Sequence, residues 1–237
     1  MAMLRRLLLW ILLLAPLALG GLYWSGAWRP PPAWDPAAPL DFRAPPNLLT
    51  GWKLARMDWQ PEACFAAFAA SGRSVARVPD RPSEVGCAIE NALRLEGEGV
   101  AFGPNRPIVT CPMAAAWAMF ERHSLQPAAE AHLGSRVATV RHLGSYNCRN
   151  LYHRAAGRRS QHATANALDL AGFTLADGRS IALPRDWGEA GESPRADFLR
   201  AARDGACRWF KAVLGPDYNA AHRDHFHLDR GMWSRCS

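Results

Sequence analysis

His222-Arg223-Asp224-His225-Phe226-His227-Leu228-Asp229 holds three of the chain's eight histidines within six residues. From His225 onward, polar and apolar residues alternate. Side chains two apart on a β-strand share a face. The pattern therefore predicts a strand with His225, His227 and Asp229 on one side and Phe226 and Leu228 turned into a core. Two imidazoles side by side on a strand suit metal binding or proton transfer, and either use needs partners from elsewhere in the chain.

Ser160-Gln161-His162-Ala163-Thr164-Ala165-Asn166-Ala167-Leu168-Asp169 supplies a His and an Asp seven residues apart. Catalytic zinc takes three protein ligands from His, Asp and Glu and leaves a fourth position open. His162, Asp169 and His227 form such a set. Water activated at such a site needs a base. His225, on the same face as His227, is the natural one; Asp224 is the rival if the strand begins only after it. His222 is placed to bind substrate or orient the site. Arg149, thirteen residues before His162, is suited to a carboxylate or a developing oxyanion. The plainer alternative is a set of satisfied core histidines, against which stands the crowding of three into six residues opposite a His/Asp pair. His123, His132, His142 and His153 read as surface or helix residues without a role.

The remaining pattern is α+β. Residues 62–70 predict a helix closing near Gly72, and 74–78, 99–102 and 108–110 predict short strands. Pro112 opens a helix running to about residue 123, and a second helical run over 127–133 stops at Gly134. Residues 137–143 alternate as a strand. Asp177-Gly178 between 167–175 and 180–183 is a hairpin signal that puts Asp169 on its first strand. Residues 197–214 read as one helix ended by Gly215-Pro216, with Phe198, Ala201, Ala202, Trp209, Ala212 and Val213 as core positions. The expected architecture is a small antiparallel sheet with flanking helices.

Arg5 and Arg6 precede residues 7–24, eighteen without a charge. That is long for a signal-peptide core and near the lower limit for a membrane span. Trp24 and Trp28 suit the membrane interface. The reading favours a signal anchor within 1–28, with the following chain facing the periplasm; cleavage near Ala18-Leu19-Gly20 would instead release it there. Seven prolines between Arg29 and Asn47 make 29–55 a stiff spacer, leaving 56–237 as the folded domain. Six cysteines in an exported chain predict disulfide staples with fifteen possible connectivities. Cys207 and Cys236, which flank the histidine strand, are one candidate pair. The net charge of +7 comes almost wholly from arginine. It favours anionic partners, but no nucleic-acid motif accompanies it and nucleic acid is not an expected partner.

From about Cys87 to Cys236 the chain resembles the bacterial extensin-like C-terminal domain. The resemblance rests on His142-Leu143-Gly144-Ser145-Tyr146-Asn147-Cys148-Arg149-Asn150, on residues 160–169, on Asp204-Gly205-Ala206-Cys207, and on Pro216-Asp217-Tyr218-Asn219-Ala220-Ala221-His222 with the histidine strand. That domain is in turn similar to zinc metallopeptidases of peptidoglycan, the D-Ala-D-Ala peptidase and murein endopeptidase group. The resemblance implies zinc on His162, Asp169 and His227 and Arg149 on the substrate; it also reproduces His225 and His222, with the base still His225 or Asp224. This chain departs from those enzymes at Thr164-Ala165-Asn166, where they carry glycine, which bears on substrate geometry. The function so implied is a zinc hydrolase of peptidoglycan peptides, bound to the membrane through residues 7–24. The alternatives are a non-catalytic wall-binding module with the same fold and, less favoured because Met is sparse near the motif, a copper-handling protein.

Overall fold

The computed structural model describes residues 2–237, which divide into two units, 2–38 and 39–237. The first is built on helix α1 (Ala2–Trp24). Its stretch Met3–Trp24 is long and apolar enough to cross a membrane, since 22 residues rise about 33 Å against a hydrocarbon core of about 30 Å. An apolar N-terminal helix of this kind fits a signal anchor or a signal sequence.

The second unit starts earlier than the proline content implies. Leu40, Phe42 and Leu54 are buried in the same core as the later helices. Phe42 meets Phe68 edge to face at 4.9 Å, and its backbone N–H donates to Ser71 Oγ at 2.8 Å. The expected spacer over 29–55 therefore stops near residue 38, because apolar side chains between the prolines are drawn into the fold. Helices α2 (Thr50–Arg56) and α3 (Pro61–Ala70) follow. Strands β1 (Ala92–Arg94), β2 (Ala101–Gly103) and β3 (Ile108–Thr110) lead into α4 (Cys111–Phe120), whose residues are nearly all buried. A π-helical turn, Glu121–Leu125, carries the chain into α5 (Gln126–Leu133). Gly134 caps α5 at φ 64°, a left-handed conformation that glycine adopts without a Cβ penalty. Then come β4 (Val137–Gly144), β5 (Ala167–Leu175), β6 (Ser180–Ala182), α6 (Pro194–Ala206), β7 (Ala212–Leu214), β8 (Phe226–Asp229) and β9 (Arg235–Cys236).

The main sheet runs β2-β4-β5-β8-β7-β9, with β6 paired to β5; β1 and β3 form a separate pair. It is not purely antiparallel as expected, since β2–β4 and β7–β9 are parallel. Residues 74–78 form no strand beyond a bridge from Arg77 to Leu93. The helix expected over 197–214 ends at Ala206. Cys207 is bonded to Cys236, and Lys211 N–H donates to Asp229 O at 2.9 Å, so 212–214 is pulled into the sheet as β7. Trp209, Ala212 and Val213 are buried as expected, though in a turn and a strand.

β5 carries an irregularity that shapes everything below. His142 pairs with Leu170 and Arg141 with Gly172, leaving Ala171 as an extra residue. The extra residue shifts the alternation by one. Leu168 and Leu170 before it and Phe173 and Leu175 after it all reach the core.

The six cysteines close three disulfides: Cys64–Cys111, Cys87–Cys148 and Cys207–Cys236. They span 29 to 61 residues of sequence. In the chain-entropy account, loops of that size contribute about 3–4 kcal/mol each. One further tie crosses the fold. Arg230, buried just after β8, donates to both carboxylate oxygens of Asp58, at 3.0 and 2.9 Å, and to the carbonyls of Leu54 and Trp209.

Candidate functional site

Strand register brings the first two site residues together. Asp169 on β5 lies directly opposite His227 on β8, with Leu168 facing Leu228 and Leu170 facing Phe226. Alternation then puts the leucines and Phe226 into the core and leaves Asp169 and His227 on the other face. Asp169 Oδ1 is 2.9 Å from His227 Nδ1.

His162 arrives from a short 3₁₀ turn, Gln161–Thr164, capped by Ser160, whose hydroxyl accepts from His162 N–H. Its Nε2 sits 3.2 Å from Asp169 Oδ1 and 3.1 Å from His227 Nδ1. Ala165 closes the turn at φ 55°. This is the left-handed region where a Cβ costs roughly 1–2 kcal/mol and glycine is at ease.

Both imidazoles are oriented from behind. His162 Nδ1 donates to the backbone carbonyl of Ser145 at 3.2 Å. That carbonyl follows Gly144, at φ 134°, where a second register shift bends β4 opposite Asp169. His227 Nε2 donates to Asp229 Oδ2 at 3.0 Å. Each ring thus turns its other nitrogen toward the same point as Asp169. Outer partners of this kind, a carbonyl and a carboxylate, set the tautomers of metal-binding histidines. The donor atoms His162 Nε2, Asp169 Oδ1 and His227 Nδ1 stand 2.9–3.2 Å apart, close to the roughly 3.3 Å edge of a tetrahedron with bonds of about 2.0–2.1 Å. These three residues can hold a metal ion, and two imidazoles with one carboxylate fit a divalent transition metal.

The electrostatics agree. Burial pushes the Asp169 carboxyl up, but hydrogen bonds and charge from His162 and His227 outweigh it and hold the group far below the usual carboxylate range. Burial likewise pushes His227 down, yet Asp169 and Asp229 raise it to about 9. The site is built to hold positive charge between its nitrogens.

His225 immediately precedes β8. Its Nε2 lies 3.7 Å from Asp169 Oδ1, and its Nδ1 is 3.0 Å from the exposed Asp224. His222 packs against the rings of His225 and His227, with centroids 5.3 and 5.9 Å apart. Its Nδ1 is held by Asn219 Oδ1 at 2.8 Å. Burial, then the charges of His227 and His225, depress it to about 4. Arg149 lines the same cleft, of about 920 Å³, as His222, His225, His227 and Asp169. The Cys87–Cys148 bridge and the bond from Tyr146 Oη to Cys87 O fix its loop.

Of the seven residues singled out by sequence, Arg149, Asp169, His222, His225 and His227 line the cleft; His162 reaches it through Asp169 and His227, and the exposed Asp224 touches it only through His225. Alternation already put Asp229 on the face of His225 and His227, yet it received no role; it is the support of His227. The Ser145 carbonyl left no signal, because a backbone atom carries none. Of the histidines set aside, His132 and His153 are exposed. His142, expected at the surface, is instead buried on β4 against Asn105 O at 2.8 Å. His123 meets Phe42 O at 2.9 Å.

Fold and site define a disulfide-tied α+β domain with a His/Asp cluster at the mouth of a cleft. The chain belongs to the family described as extensin-like protein C-terminus, which it matches over residues 62–237. No curated protein and no solved structure gives a match.

Proposed function

We propose that this protein is a zinc-dependent hydrolase of peptidoglycan peptide bonds, facing the periplasm and either anchored through α1 or released by its cleavage. The observation that supports it most is the convergence of His162, Asp169 and His227, each histidine oriented from behind by a partner outside the set. Zinc held there supplies Lewis-acid polarisation of the scissile carbonyl and a lowered pKa for water. His225 accepts the proton of the attacking water at Nε2 and delivers it to the leaving amine. Asp224, on Nδ1, keeps the ring turned that way, so it serves as a positioning residue rather than the base. Arg149 binds a substrate carboxylate, and His222, kept neutral, donates or accepts a hydrogen bond at the peptide.

The test is zinc content and turnover together. The purified full chain, supplied with zinc and a wall peptide, is expected to release new amino groups. His225→Ala should retain zinc and lose about 10²–10⁴-fold in kcat. Stoichiometric zinc with retention of wall peptides but no release would instead establish a non-catalytic wall-binding module. A chain that takes up no zinc would end the proposal.

A further inference from the structure

Several arginines elsewhere in this fold pair with carboxylates, as Arg200 and Arg203 do with Asp217. The four that line the cleft, Arg149, Arg158, Arg159 and Arg235, have no carboxylate partner among the described residues. The acids on the same wall are already committed: Asp169 to His162 and His227, Asp229 to His227. The cleft is therefore a cationic trough without its own counter-ions.

Two of these arginines are held ready for a ligand away from the histidine cluster. Arg158 lies over the ring of Trp233, 5.3 Å from its centroid, and Arg235 over Tyr218 at 5.5 Å. A guanidinium stacked on an aromatic face is fixed in orientation while its N–H edge stays free for a bidentate acceptor. Arg235 spends one donor on Ser237 Oγ at 3.0 Å. The loop bearing Arg158 is itself constrained. Tyr152 and His153 both sit in the left-handed region, at φ 54° and 56°. Asn150 holds them there through bonds to the carbonyls of Arg154 and Ala155. Consecutive non-glycine residues in that conformation cost energy and gather at functional sites. Tyr152 and Tyr218 line the same cleft as the stacked arginines.

We infer that Arg158 and Arg235 form a second anion subsite, which takes a carboxylate of the wall peptide distinct from the one at Arg149. The preferred substrate is then a peptide with a free carboxylate remote from the bond that is cut, and its amidated counterpart is a poor ligand. This rests on the peptidase reading for the identity of the peptide, but the subsite is read by binding alone.

The experiment is calorimetric titration of the full chain, zinc supplied, with two synthetic wall pentapeptides. They are identical except that one internal carboxylate is free in the first and amidated in the second. The free acid should bind at least about tenfold more tightly, with its affinity falling as salt is raised. Arg158→Gln/Arg235→Gln exchanges two exposed side chains, and it should remove that preference while leaving the amidated peptide's affinity unchanged. Equal binding of the two peptides, no binding of either, or a preference that survives in the double variant would overturn the subsite. Turnover is followed in the same samples. A preference for the free acid without cleavage would sink the hydrolase and leave the subsite standing, whereas cleavage of both peptides at equal affinity would do the reverse.

Discussion

The two halves of β5 share one backbone and do opposite work. Residues 167–170 run between β4 and β8, and there a single polar residue, Asp169, looks out into the cleft from between Leu168 and Leu170. Residues 172–175 run between β4 and β6, where Phe173 and Leu175 are buried and only Thr174 is exposed. Ala171 is the junction. Without the extra residue, strict alternation would send Phe173 and Leu175 to the face of Asp169 and strip the core at that end. The candidate site and the core packing are thus separated along one strand by a change of parity.

The largest effect expected from breaking that separation lies in the first half. Asp169→Ala should abolish stoichiometric zinc uptake while the protein remains folded, as read by metal analysis beside circular dichroism; full zinc occupancy in the variant would refute the ligand assignment. The mirror experiment is Phe173→Ala. Phe173 packs edge to face on Phe198 at 5.3 Å, and its loss should cost about 3–5 kcal/mol in urea unfolding. Zinc affinity should hardly move so long as the variant is folded. Asp229→Asn tests the support behind His227. Loss of such an outer partner lowers metal affinity by about 10–100-fold, measurable by competition with a chelator, and an unchanged affinity would mean that Asp229 does not orient the ring.

The smallest effect belongs to the second half. Asp186 braces β6 by accepting from Ala182 N–H at 2.8 Å. Burial raises its carboxyl, but Arg185, the Ala182 N–H and Arg195 together hold it below the ordinary value of 3.8. A depressed carboxylate contributes stability above its unfolded pKa and loses it as pH falls through the folded value. Asp186→Asn should therefore cost about 1 kcal/mol at pH 7 and progressively less below pH 4. An equal cost at pH 7 and at pH 3 would contradict the assignment.

Much of the site was legible because its residues follow short rules. Strand alternation assigned His225, His227 and Asp229 to one face, and the hairpin signal at Asp177-Gly178 put Asp169 on β5. What stayed hidden depends on register and on contacts between distant segments. β7 is three residues inside a stretch with helical spacing, and its pairing with β8 and β9 makes it a strand. The bulges at Ala171 and before Gly144 follow from neighbouring strands, not from local composition. The cleft wall of Arg158, Tyr152 and Trp233 unites residues some 80 positions apart that share no pattern. Leu40 and Phe42 were masked by the prolines around them.

The tie between Arg230 and Asp58 bears on where this domain can be trimmed. The family match begins at residue 62, four residues beyond Asp58. A chain started there would keep every residue of the cleft yet strand Arg230, whose side chain is 5% exposed, without its counter-charge directly behind the strand that carries His227. Breaking a fully buried ion pair from one side costs about 3–5 kcal/mol; with Asp58 itself exposed the loss here is smaller, but still an appreciable part of a small domain's total stability. The segment preceding the recognisable family region is thus part of the smallest autonomous folding unit, and excising it would destabilise the site without touching a residue in it.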